Sequence, residues 1–322
     1  ITDTVLTSLT IVILLSNYDM GIMGIFLGQF AGSVLSNIVM LYFLREALSI
    51  DYDISYIKPS FKFSIFLVPG VMIGWTLAYY NRIFMSTSGI DLENIAIYGL
   101  AFKFSLFIVL AINALKLVWH PESIKIIEKK GSHEFYSRIF NYYVVGLIFS
   151  GAVITILVKP IIGLIAPAAY SYAATISPML IAATILNCST IITVMGITIS
   201  KKTIYSTISS LIAALVNFLI MIYAIDVYGI VGIVFAYIIA SIMIAGLTYI
   251  FSQYLYLIPY KISSIIVLLI GCFFISVYPF IYNSINLVFI KPIIFLLIVV
   301  GISIYSSGKE EMKKITQSLG IY

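Results

Sequence analysis

Two cations interrupt runs of residues that are otherwise apolar. Arg82 follows Asn81 in Leu77-Ala78-Tyr79-Tyr80-Asn81-Arg82-Ile83-Phe84, and Lys103 sits within Tyr98-Gly99-Leu100-Ala101-Phe102-Lys103-Phe104. A charge at the centre of a bilayer costs at least roughly 2.5 to 3.5 kcal/mol, so it faces a wet cavity or a partner. Lys103 lies about ten residues into its apolar stretch and is expected to point inward. No carboxylate shares those stretches. Asp91 and Glu93 lie in the turn between the two cations, and Asp19 and Asp226 fall at other turns. Cations left unneutralised in a cavity attract an anion. Arg suits phosphate oxygens through its planar fork, and Lys supplies a point charge. Arg82 has a second reading, in which it snorkels to the interface or pairs with Asp91.

Uncharged polar residues accompany them. Gln29, Asn37, Asn113, Asn187 and Asn217 all lie in apolar stretches, where an amide serves either a helix-to-helix hydrogen bond or a ligand. Tyr79, Tyr80, Tyr98, Tyr142 and Tyr143 offer flat faces for sugar rings, or anchors at the membrane interface. The candidate substrate-binding set is Arg82, Lys103, Asn81, Tyr79 and Asn113. Catalytic chemistry finds no support. His120 and His133 share one loop without a second ligand pair at a metal spacing, no Gly-rich phosphate loop exists, and no Ser or Thr has a recognisable base. Cys188 and Cys272 lie in apolar stretches as small hydrophobes. The chain therefore reads as a non-enzyme, with neither cofactor nor metal.

The elements that must position these residues are membrane helices. Hydrophobic residues make up 62% of the chain and charged residues 10%, and mean hydropathy is +1.13, against roughly 25% charged residues in soluble domains. Ten apolar stretches are expected as spans: 4–16, 21–44, 63–85, 94–118, 136–158, 177–199, 203–223, 229–250, 262–281 and 287–306. Pro69 and Pro178 lie near the starts of two of them, with Gly70 and Gly74 beside the first, and are candidate hinges. Of the 18 Lys and Arg residues, 14 fall on alternate connections, Lys159 and Lys291 fall on the others, and Arg82 and Lys103 lie inside spans. The richer side is the cytoplasm, so both ends of the chain, including the C-terminus, are expected there. The formal charge of +5 is a matter of topology, since no basic run interleaves with exposed aromatics as nucleic-acid binding requires. The connection 119–135 suits a helix on the cytoplasmic surface. The absence of an initiator Met suggests a fragment.

Pro69-Gly70 opening a span that ends in Asn81-Arg82, then Ile97-Tyr98-Gly99-Leu100-Ala101-Phe102-Lys103, then Trp119-His120-Pro121, resembles the polysaccharide (O-antigen) flippases. These belong to the multidrug, oligosaccharidyl-lipid and polysaccharide exporter superfamily. The resemblance runs from about residue 1 to 256. It implies an all-α integral membrane protein, the remnant of a two-lobe alternating-access exporter. Residues 1–57 would be the last two helices of the first lobe, its first four lying outside this sequence. Residues 58–256 would be the six-helix second lobe, and 257–322 two further helices and a cytoplasmic tail. Asn81 stands where many relatives carry Asp, which argues against acid-based coupling there. The implied activity is translocation of polyprenyl-pyrophosphate-linked oligosaccharide repeat units across the bacterial inner membrane, for O-antigen or capsule assembly. Its implied partners are that lipid-linked oligosaccharide, membrane lipids, and a glycan polymerase and chain-length regulator. Two rivals fit less well. A drug antiporter of the same superfamily would need an embedded acid, and a membrane-bound glycan polymerase would need a large outer loop.

Overall fold

In hydrocarbon an unpaired backbone amide has no water to turn to, so an apolar chain crosses a membrane as helix or as a closed barrel. This chain takes the first course. The computed structural model describes residues 2–18, 20–45, 54–126, 132–284 and 301. Among them the regular elements are all helical: α1 (Thr2–Tyr18), α2 (Gly21–Leu44), α3 (Ile54–Thr87), α4 (Leu92–Ile126), α5 (Ser132–Ile165), a 3-10 turn (Ala168–Tyr172), α6 (Ala173–Thr193), α7 (Met195–Ile199), α8 (Ile204–Leu255) and α9 (Ile262–Ser284).

Among the described residues, six segments are long and apolar enough to cross a bilayer: Gly21–Leu44, Leu92–Ser123, His133–Ile165, Ala168–Ile199, Ile204–Leu255 and Ile262–Phe280. Asp3–Tyr18 and Val68–Leu77 are shorter apolar helices. At 52 residues, α8 is far longer than the roughly 20 that one crossing needs. It holds two. Gly229 breaks it with φ 55° and ψ −133°, a conformation open to glycine because it lacks a Cβ. A Cβ on Gly232 would meet the Ala224 backbone, a contact that a straight helix cannot make across eight residues, so the chain folds back at this point. Nine of the ten expected stretches thus fall on helix, counting the halves of α8 separately. The tenth, 287–306, lies outside the described residues except for residue 301.

The connection 119–135 differs from expectation. Rather than forming a separate surface helix, its described residues extend the two neighbouring spans, since α4 runs on through Pro121 to Ile126 and α5 begins at Ser132. Packing explains the continuation. Trp119 stacks against Phe135 and meets Tyr136 edge-on, and the Tyr136 hydroxyl donates to the Ser123 carbonyl (2.6 Å).

The chain forms two units, residues 1–59 and 60–322. In the first, α1 packs on α2 along Gly24, Gly28, Gly32 and Ser36, the buried positions of α2. This four-residue spacing of small side chains lets two backbones approach closely where no hydrophobic effect drives them together. The approach at Gly28 is so tight that a Cβ there would lie 2.7 Å from Ile11 Cα. The Thr10 hydroxyl reaches across to the Gly28 carbonyl at 2.6 Å.

The second unit is organised around α6. That helix packs against α4, α5, α8 and α9, and all of its residues from Ser177 to Leu186 are buried. Pro178 sits inside its second turn without ending it. Gly70 on α3 permits close approach to α8, since a Cβ there would lie 2.8 Å from the Thr207 hydroxyl. At one end, His133 bridges α5 to the end of α8, with the Leu257 carbonyl 2.8 Å from Nδ1 and the Tyr256 hydroxyl 2.9 Å from Nε2.

Candidate substrate cavity

Among the polar groupings of the second unit, two lie near the expected site residues, and they differ in kind. The first is a closed junction. Asn81 on α3 is fully buried; its amide donates to the Tyr98 hydroxyl on α4 at 3.0 Å, and its carbonyl oxygen accepts from the Asn217 amide on α8 at 2.9 Å. Three helices are joined in this way through an amide pair and a phenol. Tyr98 is itself fully buried and stacked on Phe102.

The second grouping is open. A cavity of about 340 Å³ is lined by α3 (Gly74, Leu77, Tyr79), α4 (Phe102, Leu106, Val109, Lys116), α6 (Thr184, Asn187, Cys188, Thr190, Ile191) and the second half of α8 (Tyr237, Ile244). Helical spacing explains the α4 wall. Positions 102, 106, 109 and 116 recur at intervals of four, three and seven residues and so share one face. The same logic places 184, 187, 188 and 191 along one face of α6. Asn187 is fixed by two bonds from its amide nitrogen, to the Tyr237 hydroxyl (3.2 Å) and to the Ser241 hydroxyl (3.0 Å). Tyr79 leans on Trp75 and meets Phe102 edge-on, and Phe102 also meets Tyr237 edge-on. The wall therefore combines three aromatic rings, an amide, two hydroxyl side chains and one cation, with no carboxylate in the lining.

The expected site residues divide between these places. Tyr79 lines the cavity. Arg82, half-buried, carries its guanidinium 5.4 Å above the ring of Phe102, one of the cavity walls. Its Nε is buried and makes no hydrogen bond within the protein. Asn81 belongs to the closed junction. Lys103 follows Phe102 by one residue, about 100° around the helix, and is exposed on a face of α4 otherwise apolar at Phe107 and Leu110. That position lies outside the cavity lining. Asn113 is likewise exposed and outside it. Of the other polar candidates, Asn187 and Asn217 make cross-helix bonds, whereas the Asn37 amide bonds back to the Ser33 carbonyl in its own helix. Among the further tyrosines considered for stacking, Tyr98 and Tyr143 are buried, and the Tyr143 hydroxyl donates to the Cys188 carbonyl at 2.9 Å.

Sequence reasoning missed Lys116, Tyr237 and the α6 hydroxyls. Lys116 falls near the end of the expected span 94–118 and counts among the 14 cations of the connections. The signal that finds it is the face it shares with Phe102, Leu106 and Val109 on a helix continuing to Ile126.

No protein-family model matches the chain, and no curated protein matches it in sequence. A solved structure does: the chain is similar to the lipid II flippase MurJ in its inward closed conformation, with a TM-score of 0.55 and 17% identity. The likeness covers 98% of this chain and 67% of that one. At that identity the likeness is one of fold, and the chain is an all-α, multi-pass membrane protein sharing the helical arrangement of that flippase.

Proposed function

We propose that the chain is the larger part of a flippase that moves a lipid-linked oligosaccharide, the polyprenyl-pyrophosphate repeat unit of a surface polysaccharide such as O-antigen or capsule, across the bacterial inner membrane. The observation that carries this reading is the cavity of the second unit. Its walls combine aromatic faces with amide and hydroxyl groups, a guanidinium lies over the Phe102 ring, and no carboxylate lines it. That chemistry suits an anionic, sugar-bearing head group. It disfavours the cationic substrates of a drug antiporter, which call for an acid in the wall.

The physical problem is one of partition. A pyrophosphate and its glycan cannot cross hydrocarbon unaided, while the polyprenyl tail is soluble in it. Arg82 is the proposed phosphate ligand, its buried Nε being a donor without an acceptor. An unpaired buried donor of this kind gains from a charged acceptor more than a solvated one does. Lys103, on an exposed apolar face, is proposed as a second positive charge along the route, because a lysine in hydrocarbon without water or a counter-ion is costly. Asn113, exposed on the same helix, is proposed to hydrogen-bond the glycan. Residues 1–57 are proposed as the last two helices of a first lobe, 58–256 as the second lobe, and 257–322 as two added helices with a cytoplasmic tail. Rocking of two lobes about a site near mid-membrane would supply alternating access. The Lys and Arg distribution supports a cytoplasmic C-terminus, and a glycan polymerase and chain-length regulator are proposed partners on the delivery side.

Complementation tests the assignment. The full-length gene, expressed in a bacterial strain lacking its own O-antigen flippase and supplied with the matching glycan pathway, is expected to restore surface glycan. Failure of a well-expressed protein to do so, together with resistance to cationic drugs, would overturn the reading in favour of an antiporter.

A further inference from the structure

The cavity wall carries a cation that the handling of a pyrophosphate leaves unused. Lys116 is half-buried in the cavity lining, and among the described residues no carboxylate lies within 4.0 Å of it. Its place along α4 is the informative quantity. The guanidinium of Arg82 lies over Phe102, and the step from Phe102 to Lys116 on the same helix amounts to about 21 Å of rise. Side chains at both positions lean toward the helix N-terminus, so this offset is largely kept between the two charges. A pyrophosphate is far shorter than that distance. One bound at Arg82 cannot touch Lys116, and an anion that meets Lys116 must be carried elsewhere on the ligand.

The surface between the two cations indicates what carries it. Tyr79 presents an exposed aromatic ring and Asn187 and Thr190 partly exposed hydrogen-bonding groups, with Phe102, Tyr237 and Thr184 buried behind them. Sugar rings pair an apolar face with a rim of hydroxyls, which is the complement of such a wall. Continuation of this ligand toward Lys116 then ends on a negative charge.

We infer that Lys116 reads a carboxylate on the glycan, so that the substrate class is a lipid-linked oligosaccharide containing an acidic sugar of the uronic acid type. This rests on the flippase reading for the presence of a glycan, but not on translocation itself. The same positive charge would also hold the phosphate of an anionic lipid, and the experiment separates the two.

The test is binding, measured with the full-length protein in phosphatidylcholine nanodiscs. Two probes are used, each a polyprenyl-pyrophosphate tetrasaccharide, long enough to span the offset between Arg82 and Lys116, one ending in glucuronate and one in glucose. The wild type is expected to bind the acidic glycan about tenfold more tightly, the scale of one hydrogen bond to a charged group. Lys116→Gln is expected to bring the ratio of the two affinities to about one, while Lys116→Arg keeps most of the preference. Equal affinities in the wild type would overturn the inference. So would an equal loss for both glycans in Lys116→Gln, which would assign Lys116 to the pyrophosphate or to packing. Loss of the preference when phosphatidylglycerol replaces phosphatidylcholine would reassign Lys116 to a lipid head group. Preferential binding without any translocation would sink the flippase reading and leave the Lys116 assignment standing.

Discussion

The Asn81 junction and the cavity above Asn187 are built from similar residue types yet end in opposite states. At the junction, two amides and a phenol bond one another across α3, α4 and α8 in a fully buried setting, with only the Asn217 Oδ1 left without a partner among them. At the cavity, Asn187 and Tyr237 also bond each other, but the same lining carries an exposed Tyr79 and a half-buried Lys116. In an apolar bundle a polar group with partners on neighbouring helices is a structural tie, and one left facing a cavity is available to a ligand. Residue type alone does not separate the two, and asparagine serves both.

Substitutions can break that contrast. The largest effect is expected at the junction, where Asn217→Leu leaves the Asn81 carbonyl oxygen buried without its donor. A loss of roughly 1 to 3 kcal/mol should follow, read as a lowered thermal midpoint of the purified protein, and an unchanged midpoint would make the junction dispensable to the fold. Next comes Arg82→Ala, for which the account expects about tenfold weaker handling of a pyrophosphate ligand, with membrane insertion intact. Arg82→Lys separates charge from geometry. Equal losses in the two variants favour a bidentate contact, while near-normal activity of the lysine variant favours charge alone. A smaller effect is expected from Tyr237→Phe, which removes the hydroxyl that accepts from Asn187. Cross-helix bonds in membrane proteins average about 0.6 kcal/mol, so stability should barely move, and a large drop would place Tyr237 with the structural ties. The smallest structural effect is expected from Lys103→Ala, which should lower surface glycan without altering folding. Unchanged glycan display would remove Lys103 from the route.

Much of the fold could be read from the sequence. Long apolar runs located the helices, because hydropathy measures the very constraint the bilayer imposes. The chain reversal within α8 was legible as a break near Gly229, where only glycine takes the required φ with ease. The ends of α4 and α5 were not, since a helix leaving the membrane is held by packing such as Trp119 on Phe135, which hydropathy does not register. The site was only partly legible. Arg82 and Tyr79 stood out by type and position; Tyr79 lines the cavity, and Arg82 lies over the ring of Phe102 without itself lining it. Asn81 stood out equally and proved to be a structural tie, because its partner Asn217 lies 136 residues away. Lys116 was hidden for a related reason: its role depends on sharing a face with Phe102 and on α6 lying opposite, and both are facts of tertiary structure.

The most direct test of the central claim is translocation by purified full-length protein in liposomes, using a fluorescent polyprenyl-pyrophosphate oligosaccharide and a membrane-impermeant quencher to count the molecules that have crossed. Protein-dependent crossing by the wild type, reduced about tenfold in Arg82→Ala, is the expected result. Crossing that is no faster than in protein-free liposomes, from a folded protein offered several acidic and neutral glycans, would contradict it.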